Sequence, residues 1–122
     1  MDKIDRIIAG YKKNVMENEN HEDKLISVNR KIEECQQGIY DFFVRINTKM
    51  DYRRDEFARS GAYSDARILS DAADELNGDY RKADNILYDE NEKVSLERKK
   101  VSQQREDIES QYRKDMSEQK EG

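Results

Sequence analysis

His21 is the only histidine and Cys35 the only cysteine in 122 residues. A transition-metal site needs several nitrogen or sulfur ligands converging, and neither residue has a partner of its own type. Cys35 has no second thiol for a disulfide; on an apolar stripe it reads as a small hydrophobe. His21 lies in the polar run Asn18-Glu19-Asn20-His21-Glu22-Asp23. With 28 Asp and Glu residues in the chain, paired carboxylates occur everywhere and single out no acid–base pair. No Gly-rich phosphate loop, nucleophile elbow or His-x-x-x-His spacing is present. The expectation is a protein without catalytic residues, metal or cofactor, and therefore not an enzyme.

The tyrosines carry more. Tyr-x-x-x-Asp/Glu recurs as Tyr52…Glu56, Tyr80…Asp84 and Tyr88…Glu92. On a helix a spacing of four puts both side chains on one face, which makes a small composite epitope. Eight of the ten aromatic residues fall between positions 40 and 88.

The elements that must position these residues follow from periodicity. The chain contains no proline. Each half repeats an apolar residue every three or four positions, the pattern of a long helix laid against another. The first half reads Ile4, Ile8, Tyr11, Val15, polar Asn18 and Glu22, Leu25, then Val28, Ile32, Cys35, Ile39, Phe42, Ile46, Met50 and Phe57. The short step from Leu25 to Val28 predicts a phase shift that overwinds the pair, and the polar run Glu17–Lys24 predicts a kink or fray. The second half reads Ala66, Leu69, Ala73, Leu76, Tyr80, Ala83, Leu87, Val94, Val101 and Ile108. Past Leu87 its alternate seam positions turn polar, at Glu90, Glu97, Gln104 and Gln111, so the seam should be rich near mid-chain and thin toward both termini.

Between the halves, Gly61 suits the left-handed residue that closes a helix. Ser64 suits the N-cap of the next, with Asp65 in its first turn. Asn77-Gly78-Asp79 is a second candidate break. Folding at Gly61 gives equal arms and sets Tyr11 on Tyr112 and Phe43 on Tyr80. The fold class expected is all-α: one long antiparallel two-helix hairpin resembling a coiled coil, turning near Ser60-Gly61. As a single domain it would run from an arm over about 2–59, through a turn at 60–64, to an arm over about 65–118.

A single hairpin has one internal seam. Phe43, Val44, Tyr52, Ile68, Ala72, Ile86 and Tyr88 fall off the predicted stripe and form the candidate partner-binding surface, since apolar residues left outside a helical pair call for a third helix. Charged residues make up 42% and apolar residues 34%, enough for a narrow seam but not for a layered core. A net charge of −5 disfavours nucleic acid as a partner. The stretch Asp65–Glu92 holds nine acids against Arg67, Arg81 and Lys82, so a basic partner surface would be complementary to it. No run of 18 apolar residues exists to enter a membrane, and the N-terminus has no cleavable signal pattern. A cytoplasmic protein is expected, or one exported without a cleaved signal.

The lack of proline, the size, the mid-chain turn Arg59-Ser60-Gly61-Ala62 and the segment Asp79-Tyr80-Arg81-Lys82-Ala83-Asp84 together resemble a known group. These are the small helical partner proteins of LXG toxins in bacterial type VII secretion, relatives of the WXG hairpins. The chain has no Trp and so lacks the Trp-x-Gly turn, as the longer LXG partners do. The resemblance implies a non-enzymatic module that docks on the helical N-terminal domain of an LXG-type toxin and serves as its chaperone and targeting factor. The off-stripe apolar residues also leave room for a second small helical protein or for self-association. Tyr80 and Asp84 match the export motif Tyr-x-x-x-Asp by spacing. The alternatives are a coiled-coil structural or stalk component of another export or phage assembly, or a prefoldin-like holdase.

Overall fold

The computed structural model describes residues 2–121, the last by its backbone alone. Helix α1 spans Lys3–Arg59 and helix α2 spans Tyr63–Glu121. The two pack against each other with no strand among the described residues, an all-α helical hairpin. The chain divides into two compact units. Unit 1 joins the residues up to Arg30 with those from Glu92 onward, and unit 2 is Lys31–Asn91, including the turn.

The ends of the helices have identifiable causes. Asp2 caps α1: its Oδ1 accepts from the Asp5 amide at 2.8 Å, satisfying one of the donors that a helix start leaves open. At the other end Gly61 has φ +83°. The Ala62 amide donates to the Phe57 carbonyl at 2.8 Å and the Gly61 amide to Ala58 at 3.2 Å, the paired bonds of a Schellman stop. The turn is shorter than the spacing predicts. Ala66 N–H donates to the Ala62 carbonyl at 3.0 Å, so Ala62 holds the N-cap position and Ser64 is already inside α2. A residue that closes one helix and opens the next leaves no room for a separate capping serine. Asn77-Gly78-Asp79 lies inside α2, and the Glu17–Lys24 run inside α1; neither interrupts its helix.

The seam also keeps one phase throughout α1. Leu25 is followed by Asn29, Ile32, Gln36, Ile39 and Phe43, all half-buried, while Val28, Cys35 and Phe42 are exposed. The predicted short step at Val28 is absent. Overwinding would strain both helices, whereas a half-buried amide at the seam margin keeps access to water and costs little. In α2, Glu90, Gln104 and Gln111 are likewise exposed; Asn91, Arg105 and Tyr112 take the places beside them.

Unit 2 is held by aromatic rings. Phe43 stacks on Tyr80 with centroids 4.5 Å apart, and Tyr40 lies tilted 6.4 Å from the same Tyr80 ring. Ala66, near the turn, is buried. Unit 1 has its own ring stack, Tyr11 on Tyr112 at 4.1 Å. Its centre is Val101, 1% exposed, with Val94 buried one heptad earlier. The part of the seam expected to be thin therefore holds the most fully covered side chains. A small branched residue fits wholly between two helices, whereas a large ring in a two-helix seam keeps one edge in water.

Asn18 belongs to this centre. It is 5% exposed, and its Nδ2 donates to the Val101 carbonyl at 2.8 Å. Its Oδ1 is buried without a partner, as is Oδ1 of Asn91 in unit 2. At the margin of unit 1, Arg105 bridges the helices, reaching Glu19 at 3.1 Å and Glu109 on its own helix at 3.0 Å. Those hydrogen bonds raise the Arg105 pKa above its ordinary value.

Candidate docking surface

A two-helix seam has two borders, and ion pairs in unit 1 tell them apart. His21 reaches Glu97 at 3.9 Å on one border, and Glu19 reaches Arg105 on the other. The His21 border of unit 1 is a shallow groove floored by Ile108 and Asn18 and walled by Asn14 and Glu17 on α1 and Gln104 and Asp107 on α2. Its rims are polar. In unit 2 the Tyr40 ring meets Tyr80 on one border. On the other border, steps of seven run through Cys35, Phe42, Lys49 and Glu56 on α1 and through Leu69, Leu76 and Ala83 on α2.

This Phe42 border of unit 2 is apolar along α2 and at Phe42, and polar on α1 only at Lys49 and Glu56. Leu69, Leu76 and Ala83 are only half-buried there. The next positions outward bring Tyr52 on α1 and Ala72 and Ile86 on α2 into the same strip, because residues three and four apart share a helix face. Ile68 stands one turn before Ala72 at the outer rim. Tyr52 is 64% exposed, Ile68 64% and Ile86 63%. Ala72 is half-buried.

The seven predicted surface residues thus separate. Tyr52, Ile68, Ala72 and Ile86 come together on the Phe42 border. Val44 and Tyr88 are exposed, but lie on the opposite, Tyr40 border. Phe43 is not a surface residue: it is half-buried in the seam against Tyr80. The short step expected at Val28 would put Phe42 in the seam and Phe43 outside it; without that step Phe42 is the residue that faces outward. Leu69, Leu76 and Ala83, seam positions by their spacing, also line the strip. An apolar arc on α2 wider than one seam is the signal that marks them.

Charge is biased across the strip. Its α1 side carries Arg45, Lys49 and Arg59 against one acid, Glu56, and its α2 side Asp65, Glu75 and Asp79 against one base, Lys82, all exposed. The Arg45 guanidinium lies 5.7 Å over the exposed Phe42 ring, a cation–π contact.

Tyr80 and Asp84 sit elsewhere. Tyr80 is half-buried between Tyr40 and Phe43, and Asp84, one turn on, is half-buried rather than clear of the seam. Desolvation raises the Tyr80 pKa, and the Asp84 charge and Tyr40 raise it further, so the phenol is held neutral. Cys35 is an exposed free thiol. Among the described residues no three His, Cys, Asp or Glu side chains converge on a point that could hold a metal ion, and no helix is long and apolar enough to cross a membrane. Comparison with known proteins finds no matching family model, and no curated protein or solved structure matches the chain.

Proposed function

We propose that this chain is a non-enzymatic binding module whose unit 2 accepts a further helix along the Phe42 border, and that its partner is the helical N-terminal domain of an LXG-type toxin. In this reading it acts as chaperone and targeting factor for type VII secretion. The observation that carries the binding role is the apolar strip of Tyr52, Ile68, Ala72 and Ile86, left uncovered on a chain that is 42% charged. A continuous apolar strip rimmed by charge marks a helix-docking face. Apolar contact supplies affinity there, while the rims set register and partner choice. The toxin as partner rests on the resemblance of the turn and of the Asp79–Asp84 segment. Tyr80 and Asp84 would then serve export as an epitope held rigid by the seam, the carboxylate outermost.

Co-expression with an LXG toxin's N-terminal domain tests the reading. The two chains are expected to elute together in size-exclusion chromatography, with the toxin domain insoluble or degraded when expressed alone. Separate elution, with the toxin domain soluble by itself, would refute both the partner and the chaperone role.

A further inference from the structure

We propose that, when no other partner is bound, the Phe42 border of unit 2 is covered by the same border of a second copy, the two lying parallel with their turns at the same end. This rests on the reading of that border as a docking face and names its resting occupant. A twofold axis parallel to the helices sets α1 of one copy beside α2 of the other, antiparallel, at the same register as inside each hairpin. That register is fixed by Phe43 on Tyr80.

At this register the outer positions of the strip match across the axis. Arg45 comes level with Asp79 of the second copy, and Arg59 with Asp65. Among the described residues, Arg59, Asp65 and Asp79 have no ion pair within their own chain, and Arg45 has only the Phe42 ring. Sizes match as well. Tyr52 comes level with Ala72, and Ile86 with Gly38, where an added Cβ would meet nothing within 4 Å. A foreign helix would need an acidic flank, a basic flank and small-for-large spacing in one register; a second copy of this chain has all three. Turning one copy end over end instead sets the Arg45–Arg59 rim against itself and acids against acids, which like-charge repulsion opposes.

Sedimentation equilibrium of the full chain across the micromolar range tests this, with circular dichroism as the check on folding. The native chain should self-associate. Arg45→Asp alone and Asp79→Arg alone should each weaken the dimer roughly tenfold or more, since each places two like-charge contacts in a symmetric interface. An equimolar mixture of the two variants should associate as tightly as the native chain, because both contacts in the mixed pair join opposite charges. A native chain that stays monomeric overturns the proposal without touching the toxin complex. A dimer indifferent to both variants, or a mixture no tighter than either alone, overturns it as well. A dimer that behaves as described but never binds the toxin domain would refute the partner reading instead.

Discussion

Replacing Asn18 with leucine should stabilise unit 1, and the structure sets the size of the gain. Asn18 makes one seam hydrogen bond, to the Val101 carbonyl at 2.8 Å, and strands its Oδ1 without a partner. Losing the bond costs about 0.5–1.5 kcal/mol, and removing a stranded buried acceptor returns about 1–3 kcal/mol. Leucine keeps the branched heavy-atom shape of asparagine, with two bulkier methyl groups in place of the amide, and adds about 1.5–3 kcal/mol of apolar burial. The net gain is roughly 1–5 kcal/mol. In urea, followed by circular dichroism at 222 nm (the helix band), the midpoint should rise by about 1 M with the slope unchanged. A lower midpoint would show that the Asn18–Val101 bond outweighs the stranded acceptor, and the reasoning would fail. An asparagine kept at such a cost has a use in register: its amide reaches the Val101 carbonyl at only one alignment of the helices.

Three further outcomes follow from the same packing. Val101→Ala should cost about 2 kcal/mol in the same urea assay, from two lost methyl groups and a residual cavity, while exposed Gln104→Ala should stay within about 0.5 kcal/mol; equal effects would contradict the burial pattern. Gly61→Ala should cost about 1–2 kcal/mol, because φ of +83° is strained for any residue with a Cβ; no loss would mean the turn rearranges freely. For Tyr80 the folded pKa is raised above the unfolded value of about 10, so its contribution is whole below about pH 10 and lost as pH rises through the folded value. The melting temperature of Tyr80→Phe should therefore gain on the native chain above about pH 10, and a constant difference at all pH values would refute the shift.

Periodicity alone located the hairpin, because equal apolar arms around one Gly-bearing turn leave few other folds, and the ring pairs Tyr11–Tyr112 and Phe43–Tyr80 follow from the fold point. The phase of the seam was harder to read. Counting apolar residues favours Val28, Cys35 and Phe42, yet the helices keep strict sevens and seat Asn29, Gln36 and Phe43 instead. The deciding quantity is the cost of a phase change against that of a half-wet amide, which no single residue displays. The same error carried into the docking surface, where Phe43 and Phe42 changed places. Ser64 looked like a cap because its residue type suits one, but the bond that opens α2 is accepted by the Ala62 carbonyl, and backbone geometry of that kind leaves no mark on residue type. Ile68, Ala72 and Ile86 were readable as surplus apolar positions; that they share a border with Tyr52 while Val44 and Tyr88 do not requires knowing which helix faces which.

The central claim is that helix docking uses the Phe42 border of unit 2 and not its opposite. The most direct measurement is the affinity of the toxin N-terminal domain, by isothermal titration calorimetry, for variants at exposed positions on each border. Tyr52→Glu and Ile86→Glu should each weaken binding by about 2 kcal/mol or more, as charges buried at an anchor do, with helicity unchanged. Val44→Glu and Tyr88→Glu, on the Tyr40 border, should bind as the native chain does. Full binding by the first pair, or loss confined to the second, would contradict the account.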